Sequence, residues 1–189
     1  EPGNSDETLP FMFHAPEIAH GRAVPYRQTD FTDIAKNIDA DRFYDPEYDD
    51  VLTEMVHLVV ESEAPVRDDQ LATVIARAHG FARTGRLIRE RVSEVVRRSF
   101  VLLEDQVGHV FVWMDEGHPA RLSEYRVPAS GSANRSIDLI ALAELMLAAR
   151  ATGDVEDRAV AVARIFGISR LRRDARQRVE LAIEKAIQQ

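Results

Sequence analysis

The chain has no cysteine, two lysines and one tryptophan in 189 residues. The first absence excludes disulfides and thiolate metal sites, and fits a reducing, cytoplasmic setting. No apolar run is long enough to span a bilayer, and no basic start followed by an apolar stretch marks a signal peptide, so no membrane partner is expected. Glycine-rich phosphate loops, nucleophile elbows and His/Asp/Glu metal motifs are missing too. The expectation is therefore a module with no catalytic residue, no metal and no cofactor. The start at Glu1-Pro2, without an initiator methionine, reads as a piece of a longer protein.

A hydrophobic content of 45% is enough for a core. The net charge of −8 argues first against nucleic acid, but its distribution is uneven. Residues 1–63 carry 15 acids and 4 bases, whereas residues 64–189 carry 17 acids and 20 bases. Apart from Lys36 and Lys185 every base is arginine, whose planar fork matches phosphate or guanine.

Residues 1–44 read as an irregular leader, interrupted by Pro2, Pro10, Pro16 and Pro25. Its apolar islands, Phe11-Met12-Phe13 and Ile18, could dock on a neighbouring domain, and His14 and His20 read as ordinary loop histidines. Asp45-Pro46 then opens a helix, capped by Asp45 and running to Glu63, where Ala64-Pro65 breaks it. The acids Asp45, Glu47, Asp49 and Asp50 suit that helix start better than a metal site. A second helix runs from Asp68 or Asp69 to His79, with Gly80 as its left-handed terminator. Thr84 is expected to cap a third helix over residues 85–99. Its Ile88, Val92, Val95 and Val96 face a core, while Arg86, Glu90, Ser93 and Arg97 face out, with Arg89 on the flank. Residues 100–104 and 109–114 form a hairpin that is apolar on both faces, with Phe111 and Trp113, so something covers both. Residues 116–135 read as a linker, flexible around Ser130–Asn134.

Ser136 is expected to cap a helix over residues 137–151, followed by a helix ending at Phe166-Gly167 and a last one over residues 171–187. This second half superimposes on the first at an offset of 87 residues, matching Ala76/Ala163, Arg77/Arg164, Gly80/Gly167, Arg83/Arg170, Arg86/Arg173, Arg89/Arg176 and Arg91/Arg178. So long a period marks a duplicated domain rather than a solenoid. The fold class is thus mainly α with a small β-hairpin: two tandem helix-turn-helix units, a winged one over residues 45–115 and a second over residues 136–189.

Arg83, Thr84, Arg86, Arg89, Ser93 and Arg97 occupy positions from which such a unit reaches phosphates and base edges, and Arg170, Arg173 and Arg176 repeat three of them. The competing reading is a solvated face with pairs such as Arg86 with Glu90. Arg77 and Arg164 are expected in structural ion pairs, His57, His79 and His109 as structural histidines, and Trp113 in the core. The hairpin turn, with Glu104, Asp105 and Gln106, is poor for gripping phosphate, and Glu180 and Glu184 make the second copy's outer face acidic. Of the two copies, the first is the expected DNA reader.

The run EAPVRDDQLATVIARAHGFARTGRLIRERV, preceded by FYDPEYDDVLTEMVHLVVES, resembles the C-terminal domain of unknown function of large bacterial superfamily I helicase-like proteins that also carry a Vsr-like restriction-type endonuclease domain. The resemblance covers residues 43–100 and 136–187. It is carried by the Glu63-Ala64-Pro65 break, the Ala76-Arg77 pair before Gly80, and Arg83, Gly85 and Arg89 after it. It implies an accessory module beside a motor and a nuclease, with those domains and DNA as partners. No Walker motif or nuclease carboxylate–lysine set is present, so neither activity transfers. The alternative expectation is a scaffold that docks within its parent chain or mediates oligomers.

Overall fold

A computed structural model describes residues 21–130 and 134–188. The chain is mainly helical with two small sheets. Strand β1 (Arg22–Pro25) and short 3-10 turns lead to α1 (Asp49–Glu63), β2 (Val66–Arg67), α2 (Asp68–Ala78), α3 (Arg86–Ser99), β3 (Val101–Glu104) and β4 (Val110–Trp113). Then come α4 (His118–Arg121), β5 (Glu124–Val127), α5 (Leu142–Ala151), α6 (Arg158–Ile165) and α7 (Arg173–Gln188). One sheet is antiparallel in the order β2-β4-β3; the other pairs β1 with β5 in parallel.

Local chemistry accounts for most element ends. The Asp45 carboxylate accepts from the Glu47 amide at 3.0 Å, and Pro46 opens a 3-10 turn that feeds α1. Ala64 is forced extended by the proline after it, and α1 stops there. Gly80 sits at φ +78°; its amide donates to the Arg77 carbonyl at 2.9 Å, and the Phe81 amide to that of Ala76 at 3.0 Å. This is a Schellman cap. Gly167 repeats it at φ +74°, with donation from Gly167 to Arg164 at 2.9 Å and from Ile168 to Ala163 at 3.0 Å. Helices α5, α6 and α7 thus follow α1, α2 and α3 at the offset read from the sequence.

Several expectations change. Gly85 caps α3, without a side-chain bond; the Thr84 hydroxyl instead donates to that of Thr73 at 3.3 Å. Ser136 makes no cap either, because Ile137–Leu139 is a 3-10 turn and Ile140 and Ala141 are extended before α5. The Ile140 carbonyl is held by the Arg178 guanidinium at 2.8 Å, which fixes that extended link. The leader contributes β1, and the stretch read as a linker contributes α4 and β5; alternation too short to notice carries both strands. Residues 131–133 of the expected flexible run lie outside the described residues, as do His14, His20, Phe11-Met12-Phe13 and Ile18.

Two cores result. Leu52, Met55, Leu71, Ile75, Val92 and Val112 fill the first, and Ile140, Leu145, Val162, Phe166 and Val179 the second. The hairpin β3–β4 lies between them. Leu102 and Val112 face the first core, while Phe111 and Trp113 pack with Ala141, so both apolar faces are covered as expected. Its turn is sealed by an ion pair, Asp105 to Arg178 at 2.6 Å, with Arg178 only 5% exposed.

The strongest tie between the units is polar. Glu144, fully buried, accepts from the Arg126 amide at 3.0 Å, from Arg126 Nε and Nη2 at 2.9 and 2.8 Å, and from Arg135 Nη1 and Nη2 at 2.9 and 3.1 Å. Arg126 also donates to the Glu63 carbonyl and, at 2.8 Å, to that of Pro65, so one side chain joins the end of α1 to α5. The Glu63 carboxylate is buried as well and accepts from Tyr26 and Thr29. Burial alone would raise the Glu144 pKa; the charges and hydrogen bonds of Arg126 and Arg135 outweigh it and bring the carboxyl down to about 2. The unfolded chain restores its ordinary value of 4.5.

The Glu144 pair contributes stability that is complete above pH 4.5 and drains away as pH falls towards 2. Glu144→Gln is expected to cost about 3–5 kcal/mol in urea unfolding at pH 7 and to flatten that acid limb. Gly80→Ala places a Cβ in open space and bears only the left-handed penalty of about 1–2 kcal/mol. At Gly167 the Cβ also meets Asn134 Nδ2 at 2.7 Å and Pro128 Cγ at 2.8 Å, so Gly167→Ala is expected to lower the urea midpoint further than Gly80→Ala.

Candidate nucleic-acid interface

The residues singled out on the first unit lie on the solvent side of α3 and the turn before it. Arg83, Arg86, Arg89 and Arg97 are exposed, and Thr84 and Ser93 are half-buried. Arg86 pairs with Glu90 one turn on at 2.7 Å, the solvated pair anticipated for it; with side chains 75% and 51% exposed, such a pair breaks at little cost. Arg83, Arg89 and Arg97 form no ion pair among the described residues. The first turn of α3 carries no acid and its last turn carries Arg97 and Arg98. Arg98 is committed to Asp49.

Arg77 changes standing. A structural ion pair was expected, yet Arg77 is exposed and forms none among the described residues; Arg164 is the same. The reason is register. Position 77 is the last turn of α2, beyond the acids of that helix's start, and its side chain opens onto a cleft. This cleft, about 340 Å3, lies between α2 and the start of α3 and is lined by Thr73, Arg77, Arg83, Thr84 and Arg89, with Asp69 at one side. Asp69 has a partner of its own: Arg67 Nε and Nη2 donate to its two oxygens at 2.6 and 2.5 Å, and these bonds hold its pKa below the ordinary value despite partial burial, while Arg67 also pairs with Asp138. Three guanidiniums therefore line the cleft beside one carboxylate already paired with another arginine.

The second unit is different at the matching positions. Arg170 and Arg173 are exposed, but Arg176 is locked: Asp157 accepts from Nη2 at 2.7 Å and from Nη1 at 3.3 Å, and Glu180 accepts at 3.4 Å. Subtracting the repeat offset puts Gln70 where Asp157 stands and Ser93 where Glu180 stands. Neither can pair with Arg89, which is why Arg89 is free and Arg176 is not. Thr73 and Thr84 correspond to Val160 and Leu171, so the second copy also lacks the hydroxyls.

Arg91 and Arg178, by contrast, keep one role in both copies. Both are structural, and both bind a backbone carbonyl just ahead of the first helix of their unit. Arg91 donates to Asp45 at 3.3 Å and pairs with Asp49 at 2.5 Å; Arg178 holds Ile140 and Asp105. The acidic hairpin turn thus has a structural job, since Asp105 also accepts from the Val107 and His109 amides at 3.0 and 2.9 Å. Sequence reasoning noticed that the turn was unfit for phosphate but had no signal for its partner 73 residues away. His79 is buried, its Nδ1 donating to the Ile75 carbonyl at 2.8 Å, which leaves Nε2 to accept from the Tyr48 hydroxyl at 2.9 Å. His57 packs at a tilt against the Phe100 ring, and Trp113 is core.

No helix of the described residues is long and apolar enough to cross a membrane. No curated protein and no solved structure matches the chain. Residues 41–90, which run from the turn before α1 through α2 into the start of α3 and so include Arg77, Arg83, Arg86 and Arg89, match the family described as "Protein of unknown function (DUF3320)".

Proposed function

We propose that this chain is a non-catalytic, accessory DNA-binding module in which the outer face of α3 meets duplex or junction DNA. The order α1-β2-α2-α3-β3-β4, with strands arranged β2-β4-β3, supports a winged helix-turn-helix reading in which α3 would be the recognition helix. The observation that carries the reading is the asymmetry between copies. At the positions where the second unit has Asp157 and Glu180 and engages Arg176, the first unit has Gln70 and Ser93, which leave Arg89 without an ion pair among the described residues. Exposed arginines at a helix start, in a chain whose net charge is −8, concentrate positive potential on one small face. The hairpin is turned inward on α7, so grip falls to α3 and the turn before it, and the second unit serves as a brace. On this reading, and as the resemblance to helicase-associated domains implies, the module works beside a motor and nuclease and holds DNA in position for them.

A scaffold docking on protein is the second reading. It is favoured by Leu87, which lies on the same face and is 58% exposed. The two readings separate in a mobility-shift titration of the whole chain with duplex DNA. The DNA reading expects binding whose logarithm falls linearly with the logarithm of salt, and a loss on combining Arg83→Ala, Arg86→Ala and Arg89→Ala, with the slope shallower by about one for each phosphate contact removed. Absence of any shift at low salt, with the fold intact by circular dichroism, rejects it. Binding of a partner protein that Leu87→Ala weakens and salt leaves alone favours the scaffold.

A further inference from the structure

We infer that the cleft between α2 and the start of α3 is a seat for a single phosphate group, with Arg77 as one of its ligands. This rests on, and deepens, the reading of α3 as a nucleic-acid face. Three guanidiniums, from Arg77, Arg83 and Arg89, line a cleft of about 340 Å3. None has an ion-pair partner among the described residues, and like charges gathered on one small cavity repel unless an anion joins them. Among the described residues lining the cleft, the one carboxylate, Asp69, is paired with Arg67, which it shares with Asp138, so the seat's net charge is set by three arginines against one partly paired acid. The Thr84 hydroxyl is held only by a long 3.3 Å bond to Thr73, so its proton can swing to a phosphate oxygen without breaking a good contact. Thr73 itself donates to the Asp69 carbonyl at 2.8 Å and shapes the wall.

The matching place in the second unit is an internal control. There the hydroxyls become Val160 and Leu171, and the third arginine, Arg176, is taken by Asp157 and Glu180. Arg164, the counterpart of Arg77, is equally exposed but lacks these companions. The same arginine thus stands in both copies, in the first with two hydroxyls and an unpaired third arginine nearby, in the second without them. A tetrahedral oxyanion suits the seat because it accepts from several forks at once, and charge-assisted bonds to each oxygen are the strong ones. The phosphate can come from a nucleic-acid backbone or from a free phosphorylated ligand.

The test follows the arginine Nε–Hε signals of the whole chain by 15N NMR during titration with inorganic phosphate, then with duplex DNA. The seat predicts saturable shifts at Arg77, Arg83 and Arg89, none at Arg164 or Arg173, and loss of the response in Arg77→Ala but not in Arg164→Ala. Displacement of phosphate by duplex, with a roughly tenfold weaker duplex complex for Arg77→Ala, identifies the backbone as the source. Saturable phosphate binding that duplex leaves untouched keeps the seat, assigns it to a free phosphorylated ligand and removes the nucleic-acid reading. Shifts spread evenly over all exposed arginines, or a duplex complex indifferent to Arg77→Ala with no local phosphate response, overturn the seat while leaving α3 binding standing.

Discussion

Glu144 is a carboxylate with no contact with solvent, and two arginines meet at it. Taking such charges out of water is costly, and the cost is offset only when every lone pair and N–H finds a partner in good geometry. Arg126 meets that demand from three directions. Its amide and guanidinium serve Glu144, and its remaining N–H groups reach the carbonyls of Glu63 and Pro65 at the end of α1. Arg135 closes the other side and donates back to the Arg126 carbonyl at 2.7 Å, while stacking on the Tyr26 ring at 4.6 Å. A network of this kind specifies geometry more than it adds net stability. It fixes how the first unit's helix end faces the second unit's first helix, and the hairpin, Arg67–Asp138 and Asp105–Arg178 contacts all depend on that placement.

Within this frame, the two copies share their structural devices and differ in how one arginine is paired. The Schellman caps at Gly80 and Gly167 are the same device in both copies, as are the arginines at positions 91 and 178 that anchor the start of each first helix. Change is concentrated around the arginines at the start of the third helix. Two acids in one copy correspond to Gln70 and Ser93 in the other, and two hydroxyls correspond to Val160 and Leu171. The second copy engages Arg176 with two acids and gives its α7 to the hairpin, while its Arg170 and Arg173 stay exposed. The first leaves Arg89 without an ion pair among the described residues and pairs Arg86 with Glu90.

How much of this was legible in the sequence follows from what each feature depends on. Helices with a clear apolar stripe and a terminal glycine were visible, because propensity, period and cap agree within a dozen residues: α1, α2, α3 and α7 stand close to where periodicity put them. The hairpin was visible for the same reason. Strands β1, β2 and β5 were not, since two to four residues carry no periodic signal and their pairing partners are distant in sequence. The cap at Thr84 failed because α3 starts one residue later, at Arg86 behind Gly85, and that at Ser136 because the bond from Arg178 to the Ile140 carbonyl holds the chain extended before α5. The hub was invisible, as nothing near Glu144 announces two arginines from a different segment. At the candidate site, the arginines of α3 were found by recurrence. Arg77 was found but misjudged, because only the cleft reveals that no acid answers it.

The central claim is that freedom of the α3 arginines, set by Gln70 and Ser93, is what makes the first unit the binding one. The most direct measurement is duplex affinity of a variant that rebuilds the second copy's lock in the first, Gln70→Asp with Ser93→Glu. Both positions are partly exposed, so the fold should tolerate the change. The account predicts that Arg89 becomes engaged as Arg176 is and that duplex binding at low salt is lost, while the unfolding midpoint is unchanged or higher. Duplex binding equal to that of the parent chain, with the new ion pairs demonstrably formed, would contradict it.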